Sequence, residues 1–196
     1  MIDELPHLIL ASGSPRRREL LLEAGVQFTV DVPDIDEEPL PAEAPEALVE
    51  RLAVAKAQTI AQRCGPLARV LAADTIVVLA TDILGKPRDG TEACAMLRRL
   101  SGRTHRVLTG YALVCGSSQT VEAGIAESRV TFRALTAAEA LAYVATGESL
   151  DKAGAYAVQG RAGTFVTRIE GSRSNVIGLP MEHVLPLLAR FGVRAA

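Results

Sequence analysis

The sequence predicts an α/β protein with a mixed β-sheet, and two observations lead to this fold class. In the first half of the chain, short apolar runs typical of buried strands alternate with stretches of helical periodicity. In the middle, two long runs rich in strand-forming residues, His105–Cys115 and Gly124–Ala134, follow each other with no helix between them. Consecutive strands of this kind pair with each other, so the sheet is predicted to be mixed rather than purely parallel.

The helices are predicted from capping residues, prolines and glycines at their ends. Ser14 is expected to cap the first helix, with Pro15 in its first position and Gly25 ending it. Thr136 and Glu139 have the spacing of a capping box and open a later helix. The other predicted helices are Pro45 to about Cys64, with an apolar stripe through Leu48, Leu52, Ala55 and Ile60, then Thr91–Leu100, and Pro180–Phe191, kinked or offset by Pro186.

The remaining strands are predicted from alternating or continuous apolar residues. Phe28, Val30 and Val32 alternate with polar residues. Val70–Leu79 is an apolar run broken only by Asp74, and a turn is expected near Thr81-Asp82. Two shorter predicted strands are Leu8–Ala11 and Phe165–Ile169.

Length and composition limit the classes of protein to consider. The chain has 196 residues, enough for one domain with a substantial core, predicted to span residues 1–196. With 48% hydrophobic and 22% charged residues, it does not have the composition of a disordered chain. No apolar run approaches the roughly 18 residues of a membrane span, so no membrane partner is expected. A formal net charge of −2 and only 4% aromatic residues argue against a nucleic-acid partner.

The cysteines and the first residues of the chain bear on the compartment. Cys64, Cys94 and Cys115 are odd in number and lack CxxC spacing, so we expect reduced, buried thiols rather than a disulfide framework or a zinc site. Residues 1–4 have no basic region of the kind that opens a secretory signal. The expectation is a cytoplasmic protein.

A candidate anion-binding turn, Ser12-Gly-Ser-Pro-Arg-Arg-Arg18, directly follows the first predicted strand. A turn that leads into a helix presents backbone N–H groups, and here the hydroxyls of Ser12 and Ser14 join them. Arg16 and Arg17 oppose the helix dipole at this end, and a bound polyanion would relieve that conflict. The alternative is a solvated basic helix start.

Asp74 is the second candidate, because a carboxylate within an apolar strand is costly unless it is paired, bound to metal or functional. At a strand end it could hold a metal ion or take a proton from water. The alternative is a structural carboxylate that caps a turn through its neighbours.

Weaker signals come from single charged or polar residues. Lys56 lies on an alanine-rich helix face and Lys86 on a turn, where a snorkelling lysine and an ordinary basic turn are the alternatives. Glu37 belongs to an acidic run that could supply oxygen ligands to a hard cation or form a solvated loop. Gln159 could read a base edge through its amide. His105 is expected to be a hydrogen-bonded structural histidine.

No GxSxG elbow, Cys–His pair or HExxH spacing supports other hydrolytic chemistry.

Several short blocks together resemble the Maf family of nucleotide pyrophosphatases. They occur in the family's order over residues 8 to about 190, and their combination is far more specific than any one of them. The blocks are Ser12-Gly-Ser-Pro-Arg-Arg17, Ala73-Asp-Thr75, Gly85-Lys-Pro87, Ser101-Gly-Arg-Thr-His105, Asp151-Lys-Ala-Gly-Ala-Tyr156 with Gln159-Gly160, and Gly178-Leu-Pro180.

The resemblance implies a house-cleaning enzyme that cuts nucleoside triphosphates between the α- and β-phosphates, with release of the monophosphate and pyrophosphate. It also implies an elongated mixed sheet flanked by helices, like that of inosine-triphosphate pyrophosphatases, a cytoplasmic location and a homodimer. Asp74 matches the family's proton acceptor, while Arg17, Thr75 and Gln159 match positions linked to base choice. Threonine after the aspartate and this glutamine are typical of the branch that acts on dTTP and UTP, with modified uridine triphosphates as further candidates.

The resemblance and the residues together predict a mechanism. The turn with Ser12, Ser14, Arg16 and Arg17 is expected to clamp the triphosphate together with Lys56 and Lys86. Glu37 or Asp74 would hold a divalent cation (Mg²⁺, Mn²⁺ or Co²⁺), and Asp74 would activate water. Glu37 stands in an Asp-Glu pair where the family has two glutamates. The alternative function is a nucleotide-binding regulator of septum formation with incidental catalysis.

Overall fold

The computed structural model describes residues 7–116 and 120–194 of the chain. Residues 1–4, which carried the prediction about a secretory signal, lie outside the described residues. The strands are β1 His7–Leu10, β2 Phe28–Val30, β3 Ala68–Leu79, β4 Asp82–Leu84, β5 Thr104–Cys115, β6 Val121–Phe132 and β7 Val166–Glu170. The α-helices are α1 Pro15–Glu23, α2 Pro45–Ala61, α3 Gly90–Leu100, α4 Ala137–Val144, α5 Arg173–Ile177 and α6 Met181–Arg190, and two 3₁₀ turns span Ala153–Ala155 and Arg161–Phe165.

The strands form one mixed sheet, as predicted. Their order is β2-β1-β3-β5-β6-β7, and β4 pairs with β3. Strand β1 is parallel to both β2 and β3, whereas β4 is antiparallel to β3 and β7 is antiparallel to β6. Helix α1 connects β1 to its parallel neighbour β2, because a parallel pair needs a crossover connection, and α2 then leads from β2 to β3.

The chain divides into two compact units. The first contains the described residues within 1–74, 109–126 and 178–196, and the second contains residues 75–108 and 127–177. The long strands β3, β5 and β6 each contribute residues to both units. That residues 1–196 form one domain stays a prediction.

Helix α2 builds the core of the first unit by packing small residues against the sheet. Ala53, Ala57 and Ile60 belong to a buried cluster with residues of β1, β3 and β5. The approach is close: a Cβ on Gly110 of β5 would lie 2.1 Å from the backbone oxygen of Val49. The predicted stripe is wrong in one respect, because Ala55 is only half-buried whereas Lys56 is buried.

Aromatic rings fill part of the second unit. Phe132 of β6 makes edge contacts with His105, Tyr156 and Phe165, at centroid distances of 5.1, 4.8 and 6.1 Å. His105 Nε2 lies 2.8 Å from the Tyr156 hydroxyl, which confirms the expectation of a hydrogen-bonded structural histidine. Helix α3 packs against α4 and against the turn Ala153–Ala155.

Several local predictions are corrected by the structure. Ser14 occupies the N-cap position of α1, but its side chain makes no capping bond, whereas the Thr136 capping box is confirmed. Strand β2 ends at Val30, so Val32 lies outside it. Asp74 lies in the middle of β3 rather than at its end. Helix α5 was not predicted, and Pro186 lies within α6. All three cysteines carry free thiols; Cys94 and Cys115 are buried, whereas Cys64 is only half-buried.

Candidate active site

The strand order of the first unit changes direction at β1. Helix α1 connects β1 to β2, which pairs with one edge of β1. Helix α2 then connects β2 to β3, which pairs with the opposite edge of β1. Open α/β sheets bind ligands outside the carboxyl ends of strands at such a point. The chain leaves β1 through the Ser12-to-Ser14 turn, so this turn lies where the topology favours a ligand site.

The pairing register brings this turn to Asp74. Leu10 of β1 is opposite Leu71 of β3 in a parallel pair, and the next amide, that of Ala11, donates to the carbonyl of Leu71 at 2.8 Å. Ser12 comes two residues after Leu10, and Asp74 comes three residues after Leu71. On β3 itself, Asp74 lies on the stretch between the residues paired with β1 and those paired with β4.

Arg17 is held at this turn by two hydrogen bonds. Its Nη1 donates to Ser12 Oγ at 3.0 Å, and its Nε donates to the carbonyl oxygen of Gly178 at 2.8 Å. The Ser12 hydroxyl oxygen also accepts from the backbone N–H of Ser14 at 3.2 Å. The carbonyl of Gly178, in the block Gly178-Leu-Pro180, therefore helps to fix the direction of the Arg17 guanidinium.

The electrostatics of Arg17 show which charges surround it. Burial lowers the pKa of Arg17 below its ordinary value, and the negative charge of Asp74 opposes this shift. The neighbouring Arg16 lowers the pKa of Arg17 further, and Glu37 raises it. The guanidinium stays protonated, so the half-buried Arg17 carries a positive charge that interacts electrostatically with the carboxylate of Asp74.

Lys56 joins two carboxylates from different parts of the chain. Its Nζ lies 2.6 Å from Asp74 Oδ1 and 2.7 Å from Glu37 Oε1. The side chains of Lys56 and Asp74 are 9% and 12% exposed, whereas that of Glu37 is 48% exposed. Lys56 is therefore not a snorkelling surface lysine. It is the partner that makes a carboxylate tolerable within an apolar strand.

Arg51 lies next to the segment that carries Glu37, and it was not predicted from the sequence. It lies on α2 and binds the carboxylate of Glu43 through Nε at 2.6 Å and Nη2 at 2.8 Å. Nη2 also donates to the carbonyl of Glu38, the residue after Glu37, at 3.1 Å. The hydrogen bonds from Arg51, and after them the bond from the Leu40 N–H, lower the pKa of Glu43 to about 2. No local pattern marks a pair eight residues apart across a loop and a helix start.

The oxygen donors of Glu37 and Asp74 suit a hard divalent cation. Mg²⁺ commonly takes one or two protein carboxylates and completes its shell with water and substrate phosphates. Within residues 7–116 and 120–194, no group of three or more His, Cys, Asp or Glu side chains could hold a metal ion. Two carboxylates are fewer ligands than a cation needs, so a cation bound there would require further oxygen ligands from water or from a bound molecule, with Lys56 as a neighbour.

The second unit joins two other sequence blocks. Lys86 is exposed on the loop after β4, and the carbonyl of the preceding Gly85 accepts the N–H of Gly154 at 3.0 Å. Gly154 has φ of +67°, and a Cβ there would lie 2.9 Å from Val77 Cγ2 of β3. A larger residue at this position would be strained and would clash, which explains the glycine.

The structure therefore groups the predicted residues by unit. In the first unit, direct contacts and charge interactions bring together Ser12, Arg16, Arg17, Glu37, Lys56 and Asp74, with Ser14 at the same turn. In the second unit, Thr75 follows Asp74 on β3 and is half-buried, and Gln159 is exposed on the turn Ala157–Gly160.

Comparison with known proteins decides the family. The model of the family described as "Maf-like protein" matches residues 7–191. The chain belongs to the Maf-like protein family. This confirms the resemblance and, with the mixed sheet, the Maf-like fold.

Curated relatives in this family are closely similar over nearly their full lengths. A dTTP/UTP pyrophosphatase of Myxococcus xanthus (strain DK1622) is 55% identical over 186 residues, which cover 95% of this chain and 93% of that protein. A dTTP/UTP pyrophosphatase of Symbiobacterium thermophilum is 50% identical over 188 residues, which cover 96% and 95%. Among solved structures, the Staphylococcus aureus Ham1 protein is 14% identical, with a TM-score of 0.45 over 64% of this chain and 71% of that chain.

In the part of the chain that the structure describes, none of the helices has the length and apolar character needed to cross a membrane.

Proposed function

We propose that this protein is a nucleoside triphosphate pyrophosphatase that hydrolyses dTTP and UTP to the monophosphate and pyrophosphate, and so cleans the nucleotide pool. One observation carries the proposal: the buried carboxylate of Asp74 is paired with Lys56 and interacts electrostatically with Arg17, which is held at the turn after β1. The names of the curated relatives support the same activity and the same two substrates.

The cations of the site would bind and orient the triphosphate. The guanidinium of Arg17 is already held by hydrogen bonds to Ser12 and Gly178. It would therefore lose little conformational freedom when it binds a phosphate. Arg16 and the backbone of the turn add further donors. Lys86 belongs to the same proposal through the family resemblance and supplies an exposed ammonium group.

Asp74 would act as the general base. In this step a water oxygen bonds to the α-phosphorus, the bond from that phosphorus to the oxygen bridging the α- and β-phosphates breaks, and pyrophosphate leaves. The water proton passes to the Asp74 carboxylate, which Lys56 holds in place through its 2.6 Å contact. Such reactions require mainly positioning and stabilisation of charge, which matches a site built from fixed cations and one buried carboxylate.

Glu37 and Asp74 are the residues that would hold Mg²⁺, Mn²⁺ or Co²⁺. When bound, the cation neutralises charge that develops on the phosphate oxygens. Base choice is proposed to rest on Arg17, Thr75 and Gln159. A homodimer in the cytoplasm is part of the same proposal and follows from the family resemblance alone.

The proposal is tested with a panel of canonical and modified triphosphates and each of the three metals, with pyrophosphate and orthophosphate measured separately. We expect pyrophosphate from dTTP and UTP. Release of orthophosphate, or a preference for 7-methyl-GTP, would contradict the proposal. Tight nucleotide binding without turnover would favour the regulator of septum formation instead.

A further inference from the structure

The turn Ala157–Gly160 is tied down at both of its ends. The N–H of Gly160 donates to the carbonyl of Ala157 at 3.1 Å, which closes a tight turn with Gln159 near its tip. Ala157 and Val158 are buried, whereas Gln159 is exposed. A backbone N–H at the start of the turn and another just after its end each donate to a side-chain oxygen from α4 or from the turn that follows α4.

Tyr143 holds the start of the turn. Its hydroxyl oxygen accepts the backbone N–H of Ala157 at 3.2 Å, in a buried environment. The ring is 3% exposed and packs edge-on against Phe165, with centroids 5.4 Å apart. Packing of the Tyr143 ring therefore fixes its hydroxyl oxygen, which accepts the N–H of Ala157, two residues before Gln159.

Glu148 holds the end of the turn. Its Oε2 accepts the backbone N–H of Arg161 at 3.1 Å. The same oxygen lies where a side chain on Gly160 would begin, since a Cβ there would be 2.3 Å away. Thr146 links the two acceptors, because its hydroxyl donates to the Tyr143 carbonyl at 2.6 Å and accepts the N–H of Glu148 at 3.3 Å.

We infer that Tyr143 and Glu148 are positioning residues for base selection. They set the backbone on both sides of Gln159, so that its amide meets the base edge in one orientation. A side-chain amide discriminates between bases only if its donor and acceptor are correctly placed. The inference rests on the proposed function, which gives Gln159 the role of reading the base.

The test compares kcat/KM for UTP with kcat/KM for CTP, since these nucleotides differ at the base edge that an amide can read. Gln159→Ala is expected to lower the UTP preference about tenfold. Tyr143→Phe keeps the ring and removes the hydroxyl that accepts the Ala157 N–H, and it should lower the preference about threefold. Glu148→Ala should act similarly, whereas Glu148→Gln retains an oxygen that can accept the Arg161 N–H and should restore the preference.

Two control variants separate positioning from stability. Tyr156→Phe removes a buried tyrosine hydroxyl whose partner is His105, and Glu139→Ala removes a carboxylate from the capping box of α4. Both should lower the urea midpoint and leave the UTP preference unchanged. A purely structural role of Tyr143 and Glu148 would produce that same pattern and would overturn the inference.

The outcomes also separate this inference from the proposed function. If Gln159→Ala lowers the UTP preference while Tyr143→Phe and Glu148→Ala do not, the inference is wrong and the pyrophosphatase proposal stands. If Gln159→Ala leaves the preference unchanged, the inference is wrong together with the role of Gln159. If the unaltered protein releases no pyrophosphate from any triphosphate, the proposed function itself is wrong.

Discussion

Replacing Lys56 by methionine should destabilise the protein strongly, because it leaves a buried carboxylate without its ammonium partner. The Lys56 and Asp74 side chains are 9% and 12% exposed, and their charged atoms are 2.6 Å apart. Breaking such a buried pair by removing one partner costs roughly 3–5 kcal/mol. The positive charge of Arg17 still interacts with Asp74, so we expect a loss of about 3 kcal/mol in the free energy of unfolding.

The contact of Lys56 with Glu37 is worth much less, since the Glu37 side chain is 48% exposed. Glu37→Gln should therefore cost under about 1 kcal/mol. The double variant Lys56→Met with Asp74→Asn removes both buried charges, so it should be more stable than Lys56→Met alone. Urea unfolding at pH 7 measures all of these free energies.

Lys86→Met is the matched control, because Lys86 is exposed. It should change the free energy of unfolding by no more than about 0.5 kcal/mol. The reasoning is refuted if Lys56→Met is as stable as the unaltered protein, or if adding Asp74→Asn to Lys56→Met brings no recovery.

Three further predictions use other parts of the structure. Burial lowers the pKa of His105 from 6.5 to about 4, so the unfolded chain binds a proton at higher pH than the folded protein. The contribution of His105 to the free energy of unfolding should be fully present above pH 6.5 and fall by about 3 kcal/mol as the pH is lowered to 4. The same dependence of this free energy on pH in His105→Gln would count against the prediction. Gly110→Ala places a Cβ 2.1 Å from the Val49 carbonyl and should cost about 1–3 kcal/mol by urea unfolding, whereas Gly65→Ala, with no atom within 4 Å, should be nearly neutral. Lys86→Ala should lower kcat/KM for dTTP, and unchanged kinetics would remove Lys86 from the proposed site.

The sequence predicted the fold well where the signals were local. Proline at Pro15 and Pro45, the capping box at Thr136 and the paired central strands all led to the correct element type. One error arose where a different local hydrogen bond forms in place of the expected cap. Ser14 has the right residue type for a cap, yet its N–H donates to the Ser12 hydroxyl and its side chain does not cap the helix.

The candidate site could be proposed from the sequence, but its arrangement could not. Asp74 was conspicuous because it interrupts an apolar run, and Arg17 because it opposes the helix dipole. Their partners were invisible, since Arg17 bonds to the backbone 161 residues later and Lys56 reaches an aspartate 18 residues away on another element. Such contacts depend on strand order, which places β1 between β2 and β3.

The role of Asp74 as the base that activates water is the central claim, and pyrophosphate release from dTTP by Asp74→Asn tests it most directly. The asparagine retains nearly the same shape and loses the proton acceptor, so turnover at saturating substrate and metal should fall about 10²- to 10⁴-fold. Asp82→Asn, which removes a carboxylate paired with Arg99 on the surface, serves as the control and should turn over normally. Turnover of Asp74→Asn within a factor of about ten of the unaltered protein, less than general-base catalysis contributes, would contradict the account.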